Sequence, residues 1–371
     1  MNRKFTDGIK KEVIANFKIK GTYVRDNAYG SGHINDTFLV EFLEKEESHL
    51  YILQRINHEI FKRPEHLIEN IVGVTTYLRK EIIKNGGDPE RETLNLISTK
   101  SGRKFYQDDS GNYWRMYQFI TDATSFDEVK KPDDFYQSAV SFGHFQCMLA
   151  NYPAETLHET IVGFHDTEQR LQTLKEAVKK DNYNRVALAS EEIRFVLERE
   201  SDASVLNRMI GNKELPIRVT HNDTKLNNIM IDNKTGKGIC VIDLDTVMPG
   251  LAIHDFGDSI RFGASTAAED EVDLNKVSCN MELFKLYTKG FIEGCKGALT
   301  DTEIKMLPFG AKIMTYECGM RFLTDYLEGD TYFKISREQH NLERARTQFK
   351  LVADMELKWD IMNQIVNTYR K

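Results

Sequence analysis

Hydrophobic and polar positions repeat with one period in the first third of this chain and with another beyond it. Residues 37–43 alternate in the manner of a half-buried strand, and residues 50–56 form a second apolar run after the charged turn 44–49. Residues 94–98, 104–107 and 113–120 read as further strands, separated by Ser101-Gly102 and Ser110-Gly111. Two helices lie among them. Residues 10–17 are amphipathic, and residues 64–85 carry a proline in the first turn and Gly86-Gly87 at the end. From about Thr121 the apolar spacing becomes helical, over residues 133–150, 168–181, 191–209, 281–294, 301–327 and 337–369. The pattern predicts an α+β chain in two parts: residues 1–120, rich in strands, and residues 121–371, mainly helical.

A loop and a hairpin interrupt the helical pattern, within residues 219–257. His221-Asn222-Asp223-Thr224-Lys225-Leu226-Asn227-Asn228 sets an Asp five positions ahead of an Asn. Residues 229–231 then read as a short strand, 232–238 as its turn and 239–242 as the return, which delivers Asp243 beside Asn228. One loop conformation fixes Asp223 and Asn228 together. Phosphoryl transfer from ATP needs these three groups: a carboxylate to accept the proton of the attacking hydroxyl, and an amide oxygen and a second carboxylate to hold Mg²⁺ on the phosphates. Asp223 is therefore the expected base, and Asn228 and Asp243 the expected Mg²⁺ ligands. Asp245 either stands behind them or faces the acceptor. Asp255-Phe256-Gly257 also spells a metal-binding tripeptide, but it follows no return strand; Asp255 is expected to cap a helix starting near Phe256. His221 is expected to pack beneath the loop and bond to backbone. Lys225 stands either near the path of the transferred group or in solvent.

Composition narrows the setting. A length of 371 residues supports two lobes with a sizeable core. A net charge of −7 lacks the basic face of a nucleic-acid binder. No apolar run reaches the ~20 residues that span a bilayer, and the N-terminus lacks the features of a signal peptide. Five scattered cysteines, with no C-x-x-C, fit reduced thiols in a cytoplasmic protein.

The string H-x-D-x-x-x-x-N followed by I-D-x-D resembles the aminoglycoside phosphotransferase and choline kinase group of protein-kinase-like enzymes. The longer strings YGSGHINDTF, THNDTKLNNIMID, VIDLDTVMPGLAIHDFGDSIRFGA and TYECGMRFLTDYLEGDTYF are similar to the bacterial N-acetylhexosamine 1-kinases, over residues 29–333. The resemblance implies a protein-kinase-like two-lobe fold with ATP between the lobes. It implies an enzyme that phosphorylates the anomeric hydroxyl of GlcNAc or GalNAc, with ATP and a small sugar as its partners and Mg²⁺ as its cofactor. No nucleic-acid or membrane partner is expected, and the chain is expected to be a monomer or weak dimer.

Expected site residues follow. Gly30, Ser31 and Gly32 form a hairpin where the backbone can approach phosphates closely, a reading that the loop downstream favours over the alternative of an ordinary turn. Such a fold usually places a Lys on strand 50–56. Here Gln54 and Arg55 stand there, and because successive strand residues face opposite ways only one meets the phosphates; Arg55 is favoured for its charge. Its acid partner is Glu65 or Glu69. Gln118 and Phe119 are the expected hinge to adenine. Arg321 lies in an otherwise apolar helix, where an unpaired charge is costly, so it pairs with an acid or binds ligand. The resemblance carries sugar contacts to His33, Asp223, Arg321 and Tyr332. Two other readings stand beside this one: the same chemistry on an aminoglycoside, choline, homoserine or other alcohol, and an inactive kinase-like binding protein, against which the intact Asp223, Asn228 and Asp243 argue.

Overall fold

A computed structural model describes residues 7–30, 34–129 and 131–370. Its first part is an antiparallel sheet of five strands: β1 (Thr22–Ala28), β2 (Asp36–Glu44), β3 (Glu47–Ile56), β4 (Tyr106–Gln107) and β5 (Tyr113–Gln118), in the order β1-β2-β3-β5-β4. Helix α1 (Asp7–Ala15) and the residues after it cover one face, where Val13, Ile14 and Phe17 pack with Leu53, Trp114 and Met116. Helix α2 (Pro64–Lys84) covers the other, packing Ile71 and Val74 in one cluster with Ile56 and Tyr117. Alternation along β3 and β5 thus sends Leu53, Arg55, Trp114 and Met116 towards α1, and Ile52, Gln54, Arg115 and Tyr117 the other way.

Two local differences from the sequence pattern have simple causes. The charged linker 44–49 contracts to Lys45 and Glu46, both at positive φ (49° and 70°), a two-residue turn whose twist matches its strands, so β2 and β3 run longer than predicted. Strand β1 is not marked by apolar alternation because it is an edge strand with five of its seven residues exposed and a register shift between Tyr23 and Arg25.

The second part is helical: α3 (Pro132–Met148), α4 (Thr167–Lys180), α5 (Ser190–Leu197), α6 (Glu200–Ala203), α7 (Val205–Gly211), α8 (Ala252–Gly263), α9 (Met281–Cys295), α10 (Asp301–Lys305), α11 (Leu307–Leu327), α12 (His340–Leu357) and α13 (Trp359–Tyr369). Three of the long predicted segments are therefore broken. The break at Met306 has a clear cause: Pro308 stands in the first turn of α11, where it starts a helix but cannot continue one. Between α7 and α8 lie β7 (Arg218–Thr220), β8 (Ile229–Asp232), β9 (Gly238–Val241) and β10 (Met248–Gly250). β10 pairs with β7, and β8 lies between β9 and β6 (Ala123–Thr124). All five cysteines are free, and no helix among the described residues is long and apolar enough to cross a membrane.

Helix α8 runs through the middle of the helical part, with Phe256 fully buried against Phe284, Tyr287 and Phe291 of α9. It meets α11 backbone to backbone. A Cβ on Gly257 would lie 2.2 Å from the carbonyl oxygen of Gly310, and one on Gly310 would lie 2.5 Å from that of Ile253. Gly257→Ala is expected to force the two helices apart and cost about 2–3 kcal/mol, read as a fall in the urea midpoint; an unchanged midpoint would mean that the helices separate freely.

Candidate active site

The loop between β7 and β8 is held from below by α8. The Asp255 carboxylate, fully buried, accepts the backbone N–H groups of His221 (2.9 Å) and Asn222 (2.8 Å) and the side-chain amide of Gln146 (2.8 Å). Asp258 accepts the N–H of Thr224 at 3.0 Å, and Ser259 donates to the Thr224 carbonyl at 2.7 Å. Asp255 therefore does not cap a helix. It lies inside the first turn of α8, which begins at Ala252, and its carboxylate serves the loop rather than its own helix. Burial raises its pKa, against the pull of His221 and of the N–H groups it accepts. Asp258 is held low despite burial by Arg261, which donates to it at 2.9 and 3.1 Å.

His221 is buried, with Nε2 donating to the Ile242 carbonyl (2.9 Å) and Nδ1 accepting the N–H of Asp223 (3.3 Å). Both nitrogens are spent on backbone, which fixes the tautomer from the bonding pattern. Asn222 sits at φ +65° and donates to the Thr246 carbonyl at 2.8 Å. These bonds tie the loop to the turn after β9.

Asp223, Asn228 and Asp243 converge on one cleft of about 410 Å³, lined also by Asn35, Thr37, Gln54, Lys225 and Asp245. The Asn228 amide donates to the Asp223 carbonyl (2.8 Å) and carboxylate (3.3 Å), which turns its own oxygen to other uses. Lys225 pairs with Asp223 at 2.8 Å; burial works against its charge, but Asp223 and Asp258 hold it protonated. Ile242 donates to the Asn228 carbonyl at 2.9 Å, so Asp243, the next residue, falls beside Asn228. Asp243 adopts the left-handed conformation (φ 57°, ψ 58°), a costly one for a residue with a side chain. Burial and the nearby carboxylates of Asp245 and Asp223 push its pKa up to about 7. A cation is the natural neutraliser of such a group. Hard oxygen donors from one amide and one carboxylate suit Mg²⁺, which keeps phosphate and water oxygens as its other ligands.

Other predicted residues lie elsewhere. Arg55 faces the α1 side of the sheet, paired with Asp36 at 2.6 Å, while Gln54 lines the cleft; of the two, the uncharged residue shares the cleft with Asp223 and Asp243. The strand keeps its alternation, so the twist or bulge that Arg55 would need is absent from its pairing with β2 and β5. Glu65 accepts the Tyr113 hydroxyl (2.6 Å) and Glu69 pairs with His158 (2.8 Å). The N–H groups of Gln118 and Phe119 are both taken, by the Asn95 and Leu50 carbonyls at 2.9 and 3.1 Å. These two residues therefore have no free N–H for adenine, whereas Ile120 N–H takes no part in these strand bonds. The ring of Phe119 meets Tyr29 edge-on at 5.8 Å, just before Gly30 (φ +81°). Ser31, Gly32 and His33 lie outside the described residues.

Arg321 and Tyr332 are not in the lining of the cleft. Arg321 lies half-buried among Phe164, Tyr332 and Phe333, at 5.4, 5.9 and 5.5 Å from their ring centres. Three of the four acids of its segment are spent, and the fourth, Glu328, is exposed. Glu317, fully buried, takes His165 (2.9 Å) and Thr167 (2.6 Å), and despite burial those bonds bring its pKa down to about 2. Asp325 accepts the N–H groups of Thr331, Tyr332 and Phe333 at 2.8–2.9 Å and so shapes the turn that places Tyr332 beside Arg321. Asp330 pairs with Arg185 at 2.6 Å.

Sequence reasoning missed Arg115 and Asn35, which engage Asp245 from β5 and from the residue just before β2. Arg115 carried a signal: like Arg321, it is a lone charge within an apolar element.

Residues 27–277 match the profile of the phosphotransferase enzyme family, APH. The chain belongs to this family. Its fold is shared with solved members and relatives of the group. An aminoglycoside phosphotransferase from Alicyclobacillus acidocaldarius aligns with a TM-score of 0.62 at 10% identity, covering 99% of each chain. Choline kinase from Cryptosporidium parvum aligns at 0.59 and 15% identity over 97% of this chain and 99% of its own. The GDP complex of an aminoglycoside 2′-phosphotransferase aligns at 0.60 and 12% identity over 93% and 99%. At such identities the likeness establishes the kinase-like fold, and the acceptor of this phosphotransferase has to be argued from its own residues.

Proposed function

We propose that this phosphotransferase moves the γ-phosphoryl group of ATP to the anomeric hydroxyl of an N-acetylhexosamine, GlcNAc or GalNAc, with residues 1–120 carrying the nucleotide and 121–371 the sugar. The reading rests on the convergence of Asp223, Asn228 and Asp243 in the cleft and on the resemblance of the surrounding sequence. Asp223 receives the proton of the anomeric hydroxyl while its oxygen attacks the γ-phosphorus and ADP departs. That hydroxyl is more acidic than an ordinary alcohol, and the transition state is loose, so a carboxylate without unusual basicity suffices. Asn228 and Asp243 would hold Mg²⁺, which when bound neutralises charge on the phosphates. Gly30 with Ser31 and Gly32 would approach the phosphates, Gln54 would replace Arg55 there, and adenine would use the hinge carbonyls of Gln118 or Phe119 and the Ile120 N–H.

Arg321, with Tyr332 and His33, is assigned to the sugar. A polycationic aminoglycoside needs several free carboxylates, whereas Glu317, Asp325 and Asp330 are already satisfied within the protein around an arginine, which leaves Glu328 alone in this segment. A neutral acceptor with carbonyl and hydroxyl oxygens suits that arginine instead. Arg321→Ala is expected to raise KM for the sugar about 10- to 100-fold, on the order of the 1.5–3 kcal/mol of a charged hydrogen bond, and KM for ATP by less than about threefold. The same kinetic assay on GlcNAc, GalNAc, glucose, choline, homoserine and kanamycin, with NMR of the product, tests the acceptor. Turnover on kanamycin or choline alone would overturn it, and equal loss of both substrates in the variant would make Arg321 merely structural.

A further inference from the structure

In the register of β3 against β5, Gln54 stands opposite Arg115, and both side chains are on the cleft side of the sheet. Arg115 is only 1% exposed and does not itself line the cleft. Its Nε and Nη2 donate to Gln54 Oε1 at 3.0 and 2.8 Å, and its Nη1 forms an ion pair with Asp245. Gln54 passes the bond on, donating to Thr37 Oγ1 at 3.1 Å, and the second oxygen of Asp245 accepts from Asn35 at 2.7 Å. Gln54, Thr37, Asn35 and Asp245 all line the cleft. One buried guanidinium thus holds four lining groups without reaching the cleft itself.

Its position matters because of Asp243 and Asp245. Two carboxylates stand two residues apart on one turn, and the first is in a left-handed conformation that its surroundings must enforce. By donor chemistry either acid suits Mg²⁺. We propose, resting on the phosphotransferase reading above, that Arg115 is a positioning residue that acts through Asp245. It neutralises that carboxylate, withholds it from the metal and pins the turn, so that Asp243 and Asn228 alone face the metal nucleotide. Gln54, fixed by the same guanidinium, presents an amide to the phosphates where a lysine would present a charge.

A double-mutant cycle on the full chain reads this through the Kd of Mg·ATP, measured by calorimetry without any acceptor. Arg115→Met leaves a buried carboxylate unpaired beside the phosphates and is expected to weaken Mg·ATP at least tenfold. In the Asp245→Asn background the same change is expected to cost less than about threefold, because no charge is stranded. An arginine that met the phosphates directly would cost the same factor in both backgrounds, and that result overturns the proposal. So does an unchanged Kd with a lowered Tm, the signature of a purely structural pair. Arg115→Lys, which keeps the charge but loses the fork on Gln54, is expected to fall between wild type and Arg115→Met; it carries the cycle should the methionine variant not fold. A wild-type chain that bound no Mg·ATP would overturn both this proposal and the nucleotide reading, whereas a binding chain with an additive cycle overturns only this one.

Discussion

Asp223→Asn is expected to lower turnover by about 10²- to 10⁴-fold while leaving the Kd of Mg·ATP within a few-fold of wild type. The substitution keeps the size and shape of a side chain whose two oxygens face different partners, Lys225 at 2.8 Å and the Asn228 amide at 3.3 Å. It removes the capacity to take a proton. Asn228 also bonds to the Asp223 backbone carbonyl at 2.8 Å, a contact that the variant retains, so the amide proposed to hold Mg²⁺ keeps its orientation. Released Lys225 remains in the cleft and adds a positive charge that favours nucleotide. Steady-state ADP release and calorimetry separate the two effects. Turnover unchanged by the substitution would remove Asp223 from the role of base, and a parallel collapse of Mg·ATP binding would make it a metal ligand instead.

Asp255→Ala should be the most destabilising single change in the loop support. The carboxylate satisfies two backbone N–H groups and one side-chain amide, all buried. Leaving buried donors unsatisfied costs about 1–3 kcal/mol each, and partial relaxation brings the expected loss to about 3–5 kcal/mol. Urea unfolding measures it. Activity should fall with it, since the same N–H groups set the backbone from which Asp223 projects. Asp255→Asn discriminates sharply. Its amide oxygen can accept from the loop, but its NH₂ group confronts a donor, so the variant should melt earlier. If Asp255 were the metal ligand that its tripeptide suggests, Asp255→Asn would instead lower Mg²⁺ affinity and leave the melting temperature in place.

The elements that can be read along the chain are those whose determinants are local. Helix α2 is announced by Pro64 and ended near Gly86, and it runs Pro64–Lys84. The hairpin after the Asp223 loop follows from its turn residues, which β8 and β9 flank. Local pattern fails where an element carries little apolar signal, as in β1, and where a helix restarts within a periodic run, as at Pro308. It fails differently at Gln54 and Arg55. Parity states that only one can face the cleft, and charge favoured Arg55, but the packing of Leu53 and Trp114 beneath α1 decides for Gln54. Arg115 and Arg321 pose the same question, a charge in an apolar element, and receive different answers. One finds Asp245 far along the chain; the other is ringed by Phe164, Tyr332 and Phe333. Partners so distant in sequence leave no trace in any window, and neither does the choice between a structural and a ligand-binding arginine.

The segment Asp245–Val247 is tied to the strand-rich first part of the chain by three residues of that part. Arg115 and Asn35 hold Asp245, and Asn70 of α2 donates to the Val247 carbonyl at 3.0 Å and to the His158 carbonyl at 2.8 Å. The chain itself supplies a second fixed point where it leaves β5. Helix α2 adds an apolar seam to these bonds, since Ile68, Ile71 and Val74 share one buried cluster with Phe145, Leu149, Leu244 and Val247. Separating the two parts of the chain would therefore expose apolar surface to water as well as break a buried ion pair, so the floor of the cleft belongs to both parts at once.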